Sequence, residues 1–209
     1  MLTKEQILEY LVDRRLVVEP ILEPKTQIDH VSIDLRIDNY FAEFKTAKIP
    51  HIDPAKTRDE YKQYLEFISL EFFYEAFYLQ PKRFVLAQTF EYLALPNSLI
   101  GHLDGRSTVA REGLVVHAAA GLIDPGFRGH LVFELLNAGD MPIKIYPLMR
   151  VAKISFYPCA KTEFYGKDRP EEYDIQVRIR PPKCDEDVEK IEQYRESLQV
   201  KIRGARVLH

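Results

Sequence analysis

The sequence contains no tryptophan and only two cysteines in 209 residues. Cys159 and Cys184 are far apart, which favours two ordinary thiols in a reducing cytoplasm over a disulfide. No apolar run approaches the roughly 20 residues that cross a bilayer, and the first residues lack the basic-then-apolar layout of a signal peptide. We therefore expect a cytoplasmic protein without a membrane partner.

Basic excess and metal-ligand motifs are also missing. The formal net charge is −3 with a pI near 6.1, which argues against a general nucleic-acid surface. Zinc-dependent nucleobase deaminases need a His-x-Glu and a Cys-x-x-Cys, and none of the six histidines has Glu two places later. There is no Walker loop and no dinucleotide-binding Gly-x-Gly-x-x-Gly. We expect no zinc and no metal ligands, with catalysis by side chains and water.

What the chain does have is a series of short apolar segments separated by Pro and Gly, typical of a mainly β sandwich or jelly roll. Thr3 and Gln6 form a capping-box pattern that predicts a short N-terminal helix. A polar excursion over 49–64 is expected to include a helical turn. Strands are predicted at 16–18, 32–37, 84–89, 131–136, 143–145 and 151–156, with 40–44 as a continuation or hairpin partner of the second.

The length suits one domain, which we place at 1–180. The remaining residues, 181–209, are a charged C-terminal extension that is predicted to be helical in part.

Charged and polar residues concentrate between 105 and 134, among apolar residues and glycines. Charges in such company are seldom there for solubility alone, because desolvating them is costly. Glu134 lies in an otherwise apolar strand, where burial raises the pKa of a carboxyl group and a neighbouring arginine lowers it. The pattern predicts a nucleotide pocket with Glu134 as its base. The alternative is that Glu134 pairs with an arginine to hold two strands together.

The other candidates also allow two interpretations. Ser107 and Arg111 share a face if their segment is helical, and Arg106 and Arg111 carry planar donors suited to phosphate. The alternative is a helix start with a hydroxyl cap and a solvated arginine. Asp124 begins an Asp-Pro-Gly turn or binds a sugar hydroxyl. His117 is a ligand, a proton shuttle or a structural residue.

Together these residues match a known family. The segments 105–111 (GRSTVAR), 117–129 (HAAAGLIDPGFRG), 132–134 (VFE) and 31–36 (VSIDLR) closely resemble the core of deoxycytidine triphosphate (dCTP) deaminases, relatives of the trimeric dUTPases. The likeness runs from near residue 1 to about 158. It implies a dUTPase-like distorted jelly roll, also called a β-clip. It also implies a homotrimer with shared active sites, Mg²⁺ bound through the nucleotide triphosphate, and, as in some relatives, inhibition by dTTP.

The resemblance also implies roles. Glu134 would activate water for attack at C4 of cytosine, while Ser107, Arg111 and the carbonyl of Ala120 hold that water. Asp124 would meet the deoxyribose 3′-hydroxyl, and 132–134 would read the base. The implied nucleotide-binding residues are Arg106, Ser107, Thr108, Val109, Ala110, Arg111, Asp124, Val132, Phe133, Glu134, Tyr165 and Gln176.

The expected reaction is metal-independent deamination of dCTP to dUTP in the pathway to dUMP and dTTP. Relatives that stop at dUTP often carry a bulky His where this chain has Gly121, and those that also hydrolyse dUTP to dUMP commonly carry Gly. A bifunctional deaminase and diphosphatase is therefore an alternative. Two further alternatives are a non-catalytic nucleotide-binding homologue and an enzyme acting on another pyrimidine nucleotide.

The C-terminal part departs from the family pattern. Tyr165, Tyr173 and Gln176 fall at the spacing of the segment that closes the site, but Glu172 stands at the lysine position. A carboxylate facing phosphates is repulsive. Either a nearby Lys161, Lys167 or Arg169 supplies the charge, or the preferred nucleotide has fewer phosphates, or triphosphate binding is impaired.

Overall fold

The computed structural model describes residues 1–45, 51–53, 58–71, 75–119, 121–163 and 178–180. Predictions made for Ala120, Tyr165, Glu172, Gln176 and the 181–209 extension lie outside the described residues. The chain divides into two compact units, the first formed by 1–43 and 67–179 and the second by 44–66 and 180–209.

The helices are short, and α1 begins at a side-chain cap. They are α1 (Lys4–Val12), α2 (Pro24–Gln27), α3 (Arg58–Lys62) and α4 (Ser107–Ala110). The predicted capping box at the start of α1 is confirmed, because Gln6 N–H donates to Thr3 Oγ1 and Thr3 N–H donates to Gln6 Oε1. No helix among the described residues is long and apolar enough to cross a membrane.

The predicted mainly β fold is confirmed. The strands are β1 (Val17–Glu19), β2 (Ser32–Phe44), β3 (Leu65–Ser69), β4 (Phe77–Leu79), β5 (Phe84–Ala94), β6 (Leu99–Gly105), β7 (Leu114–Val115), β8 (Leu122–Ile123), β9 (Arg128–Asn137), β10 (Ile143–Ile145) and β11 (Arg150–Pro158). Segment 40–44 continues β2 and is not its hairpin partner. Five strands, β3, β4, β6, β7 and β8, were not predicted.

The strands form a curled antiparallel sheet in the order β7-β9-β5-β2-β11-β6-β8, with β1 beside β5, and a separate β4–β10 pair. Strand β9 shows how the core is built. Its odd-numbered residues from 129 to 137 are buried and the even-numbered ones from 130 to 136 are half-buried, the period of a strand that faces a core on one side. The architecture is the expected distorted jelly roll with a short N-terminal helix.

The second unit carries the predicted helical turn of the 49–64 excursion, which is α3. The backbone N–H of Lys45 donates to the carbonyl of Tyr64 at 2.8 Å, and Leu65 is buried. No candidate site residue in the described part of the chain belongs to this unit.

In the first unit, the chain path connects the motif segments around Gly105 and Glu134 through α4 and β7. β6 ends at Gly105, and α4 follows directly and packs against β7. β7 pairs with β9, with Val115 opposite Leu136. The ladder extends beyond β7, because Glu134 N–H donates to the carbonyl of Val116 at 3.1 Å. Residues 114–116 therefore lie beside the part of β9 that carries Glu134, and α4 contacts β7.

Candidate active site

Glu134 projects from the half-buried face of β9, and 31% of its side chain is exposed. Its Oε2 accepts two backbone hydrogen bonds, from Ala118 N–H at 3.1 Å and Ala119 N–H at 3.2 Å. Within the described residues, Oε1 accepts no hydrogen bond. One oxygen of this carboxylate is thus fixed by the main chain, and the other can meet a ligand or water.

The arginine partner expected for Glu134 is not found among the described residues. Two backbone amides occupy its place, because residues 117–119 leave the β-ladder and turn their N–H groups toward the carboxylate. The alternative in which an arginine and Glu134 hold two strands together is therefore not what these residues form.

His117 is a neighbour of Glu134 that can carry a positive charge. Its Nδ1 lies 3.8 Å from Glu134 Oε2, and only 17% of its side chain is exposed. Both ring nitrogens are buried without a hydrogen-bond partner among the described residues. Unpaired buried polar groups are costly and are concentrated at sites that bind something. These unpaired nitrogens argue against the interpretation of His117 as a satisfied structural residue.

The motif that contains α4 presents its polar groups outward. Ser107, Thr108, Ala110 and Arg111 are exposed, whereas Val109 is buried. Arg111 N–H donates to the carbonyl of Ser107 at 3.1 Å, so these two residues lie one helical turn apart. The hydroxyl-cap alternative is wrong, because the N-cap is Arg106 and no side chain caps this helix. Arg111 forms no ion pair with any described residue.

Arg106 is held against a buried acid. Its Nη1 lies 3.6 Å from Asp34 Oδ2 and donates to the carbonyl of Arg150 at 3.3 Å. Arg150 Nη1 lies 3.3 Å from the same Asp34 oxygen. Burial raises the pKa of Asp34, and the charges of Arg106 and Arg150 oppose that rise.

The remaining predicted residues are Asp124, which lies in a turn, and Val132 and Phe133, which lie on β9. Asp124 begins a turn closed by Phe127 N–H to its carbonyl at 3.2 Å, with Gly126 at φ 84°, and its side chain is exposed. Val132 shares the half-buried face of β9 with Glu134, whereas Phe133 is 0% exposed on the opposite face. Only the backbone of Phe133 can therefore reach a ligand.

Gly121 is required by close packing of two chain segments. A Cβ on Gly121 would lie 2.8 Å from the carbonyl oxygen of Leu103, and Leu103 N–H donates to the Gly121 carbonyl at 2.7 Å. Any larger residue here forces 121 and β6 apart. The glycine thus shapes the backbone next to Ala120, whichever reaction the site performs.

Sequence reasoning assigned no role to Asp34 or Arg150, although Asp34 lies in the 31–36 motif. The available signal was a lone aspartate in an alternating strand, between Ile33 and Leu35, where an unpaired charge would be unfavourable. No group of three or more His, Cys, Asp or Glu side chains within the described part of the chain is arranged to hold a metal.

A solved structure shares the fold of this chain. A solved 2′-deoxycytidine 5′-triphosphate deaminase from Agrobacterium tumefaciens superposes with a TM-score of 0.58 at 20% identity. The match covers 74% of this chain and 45% of that chain. At this identity the likeness establishes a shared fold.

Sequence comparison identifies the family. A family model described as dCTP deaminase-like matches residues 1–159. A dCTP deaminase, dUMP-forming, of Dictyoglomus turgidum is 42% identical over 170 residues, which cover 80% of this chain and 86% of that protein. One of Methanothermobacter thermautotrophicus is 35% identical over 183 residues, covering 82% and 91%. A dCTP deaminase of Haloarcula marismortui is 41% identical over 179 residues, covering 84% and 90%. The chain belongs to the dCTP deaminase-like family.

Proposed function

We propose that this protein deaminates dCTP and hydrolyses the resulting dUTP, so that dCTP and two waters give dUMP, ammonia and pyrophosphate. The observation that carries the proposal is the Glu134 carboxylate, with Oε2 held by two backbone amides and Oε1 without a partner among the described residues. Family membership supports the substrate, and the dUMP-forming relatives support the second step.

In the deamination step Glu134 is the general base. Oε1 takes a proton from water as the oxygen attacks C4 of cytosine, which gives a tetrahedral intermediate. The proton is delivered to N3, Glu134 then transfers the proton of the new C4 hydroxyl to the exocyclic N4, the C4–N4 bond breaks, and ammonia leaves as the C4 carbonyl forms. Positioned proton transfer of this kind contributes about 10²–10⁴ in rate. Because Oε2 is fixed, the carboxylate needs no reorientation between accepting and returning the proton.

Ser107, Arg111 and the Ala120 carbonyl hold the attacking water and the intermediate in this proposal. Support comes from the exposed position of Ser107 and Arg111 on α4, beside the strand that pairs with β9. Donors aimed at developing charge stabilise a transition state at little reorganisation cost. No zinc is used in the step. A zinc chelator such as 1,10-phenanthroline should leave ammonia release unchanged, and strong inhibition would point to a bound metal.

The nucleotide enters with Mg²⁺ on its phosphates, as part of the substrate. Arg106, Thr108 and Arg111 bind phosphate, Asp124 binds the 3′-hydroxyl, and Val132 with the Phe133 backbone contacts the base. Val109 and Ala110 contribute main-chain contacts, and Tyr165 and Gln176 close over the triphosphate. The exposed side chain of Asp124 supports this role, since no described residue of the turn forms a hydrogen bond with its carboxylate.

We propose a homotrimer whose active sites are completed by a neighbouring subunit. The isolated chain leaves α4 and the amides of Ala118 and Ala119 exposed, together with Leu122, which is 57% exposed. An apolar side chain next to polar catalytic candidates is typical of a surface that another chain covers. Analytical ultracentrifugation should give three chain masses, and a stable monomer would contradict shared sites.

The direct test is ammonia release from dCTP, dCMP and CTP, measured side by side with pyrophosphate. Ammonia and pyrophosphate from dCTP with dUMP as product are expected. Accumulation of dUTP without pyrophosphate would limit the protein to deamination, even though it carries Gly121. Release of ammonia from none of the three would favour the nucleotide-binding homologue. Addition of dTTP should lower the rate if this chain shares the inhibition.

A further inference from the structure

Asp34 is a hub between two arginines that come from distant parts of the chain. It lies on β2 with 11% of its side chain exposed, and its Oδ2 faces Arg150 Nη1 at 3.3 Å and Arg106 Nη1 at 3.6 Å. Arg106 directly follows β6, and Arg150 is the first residue of β11. One carboxylate oxygen therefore fixes the relative position of two guanidinium groups.

Both arginines use the same nitrogen for their protein contacts. Arg106 Nη1 donates to the Arg150 carbonyl at 3.3 Å, and Arg150 Nη1 donates to the Thr26 carbonyl at 3.2 Å. The Nε and Nη2 atoms of both residues form no hydrogen bond with the described residues. About a third of each side chain is exposed, 28% for Arg106 and 31% for Arg150. Each group thus keeps the Nε–Nη2 edge that binds phosphate in a bidentate manner.

The charges of the cluster do not cancel. Within the trio of Asp34, Arg106 and Arg150, two guanidinium groups share one carboxylate, so the trio carries one net positive charge. Arg36, another arginine of this region, lies 3.8 Å from both Glu91 and Glu23, so its ion pairs are with those carboxylates and it does not compete for Asp34 Oδ2. An excess positive charge with unused donors is complementary to a polyphosphate.

The backbone under Asp34 is firmly held. Its carbonyl accepts a hydrogen bond from Gln27 Nε2 at 3.1 Å, and Gln27 is fully buried. In the sheet Asp34 pairs with Lys153 of β11. The main chain that carries this carboxylate is therefore anchored, which limits how far the carboxylate can follow the two arginines.

We propose that Asp34 is a positioning residue that orients Arg106 and Arg150 together toward the phosphate chain of the bound nucleotide, with Arg150 as a further phosphate-binding residue. The identification of the phosphates as those of a deoxycytidine nucleotide rests on the proposed function. The anion site itself rests on the three side chains alone.

The test is calorimetric binding of inorganic tripolyphosphate and, separately, of deoxycytidine to the full-length protein and its variants. Asp34→Asn should weaken tripolyphosphate binding by about tenfold or more, the loss of one charge-assisted contact, and leave deoxycytidine binding unchanged. Simple removal of a negative charge would do the opposite and tighten anion binding. The sign of the change therefore separates positioning from bulk charge.

Asp38→Asn is the matched control. Asp38 lies four residues along the same strand, and its carboxylate accepts from Gln88 Nε2 and Asn39 N–H. It should bind tripolyphosphate like the unmodified protein. Arg150→Gln, a change of a partly exposed side chain, should weaken tripolyphosphate binding to a similar extent and covers the case in which Asp34→Asn fails to fold.

Unchanged or tighter tripolyphosphate binding in Asp34→Asn, or unchanged binding in Arg150→Gln, would overturn the proposal, as would no binding by the unmodified protein. Asp34-dependent tripolyphosphate binding without ammonia release from dCTP would sustain the anion site and reject the proposed function. Ammonia release from dCTP, together with tripolyphosphate binding that does not depend on Asp34, would sustain the proposed function and reject the anion site. In an active enzyme, Asp34→Asn should raise KM for dCTP much more than it lowers kcat.

Discussion

Two glutamates occupy nearly equivalent places in apolar β-strands, yet the chain uses them differently. Glu91 on β5 is 0% exposed. Its Oε1 accepts from Gln27 Nε2 at 2.9 Å and its Oε2 from Arg36 N–H at 2.8 Å, and the Arg36 guanidinium lies 3.8 Å away. Glu134 on β9 is 31% exposed, and within the described residues its hydrogen bonds come only from two main-chain amides, both to one oxygen.

The contrast shows what distinguishes a structural carboxylate from a reactive one. The arginine pair that the sequence allowed for Glu134 is formed by Glu91, where it joins β2 to β5 deep in the core. At Glu91 both oxygens are consumed by the protein. At Glu134 one oxygen has no described partner, and an unsatisfied His117 stands beside it. Accessibility and unused bonding capacity, more than burial, mark the candidate base.

The largest effect should follow from Glu134→Gln. The amide oxygen can still accept from the backbone N–H groups of Ala118 and Ala119, so the fold should persist, but the side chain can no longer take a proton. Ammonia release from dCTP should fall by about 100-fold or more, with an unchanged melting temperature. Glu112→Gln, an exposed glutamate on the same unit, is the control and should retain full activity. Substantial turnover by the Glu134→Gln variant would show that Glu134 is not the general base.

Alanine substitutions should separate the two glutamates by stability. Glu91→Ala leaves buried donors of Gln27 and Arg36 unsatisfied and opens a cavity, and it should lower the free energy of unfolding by about 3 kcal/mol or more. Glu134→Ala should cost about 1 kcal/mol or less, because water can reach its two exposed amide donors. Urea unfolding at a fixed protein concentration measures both. Equal losses would mean that the distinction drawn between the two sites is wrong.

The pH dependence of stability sharpens the comparison further. Burial raises the pKa of Glu91 from 4.5 to about 7, while Arg36 and Gln27 oppose the rise. The folded protein then holds a proton that the unfolded chain has lost, so this group's contribution to stability decreases as pH rises from about 4.5 to 7. The decrease should be at most about 3 kcal/mol. Glu91→Gln should flatten the curve, and a curve of the same slope would contradict the assignment.

A smaller effect is expected at the glycine beside the site. Gly121→Ala brings a Cβ to 2.8 Å from the Leu103 carbonyl, and the resulting shift should destabilise the fold by about 1–3 kcal/mol. It should also lower kcat, since the backbone of residue 121 would shift next to the residues proposed to hold the attacking water. Gly105→Ala is the control for stability, because its Cβ would meet Val116 at 3.8 Å, an ordinary contact. Thermal unfolding of the two variants should differ clearly, and equal melting temperatures would contradict a close-packing role.

Much of the fold was predictable because the local signals were strong. The capping box of Thr3, the alternation of apolar and polar residues in β2 and the apolar runs of β9 and β11 depend on neighbouring residues only. β6 was missed because Gly101 interrupts its apolar pattern, and the reason is nonlocal. A Cβ at Gly101 would lie 3.0 Å from Ile154 and 3.1 Å from Ile123, so the neighbouring strands occupy its space.

Sequence motifs supplied the candidate members of the site but not their contacts. Motif spacing identified Glu134, Ser107 and Arg111, but the amide clamp arises from a turn at 118–119 that no residue pattern encodes. The Asp34 hub joins residues more than 110 positions apart, Asp34 and Arg150. Such pairings depend on sheet order, which sequence periodicity does not determine.

The alternation along β9 has a consequence for protein engineering. Odd positions such as Phe133 carry the packing, and even positions such as Val132 and Glu134 face outward toward the candidate pocket. Libraries that keep Glu134 and vary the other even positions, such as Val132, should therefore sample new nucleobase preferences while the melting temperature stays nearly constant. Substitutions on one face of this strand can therefore change its chemistry without changing the core packing that the other face provides.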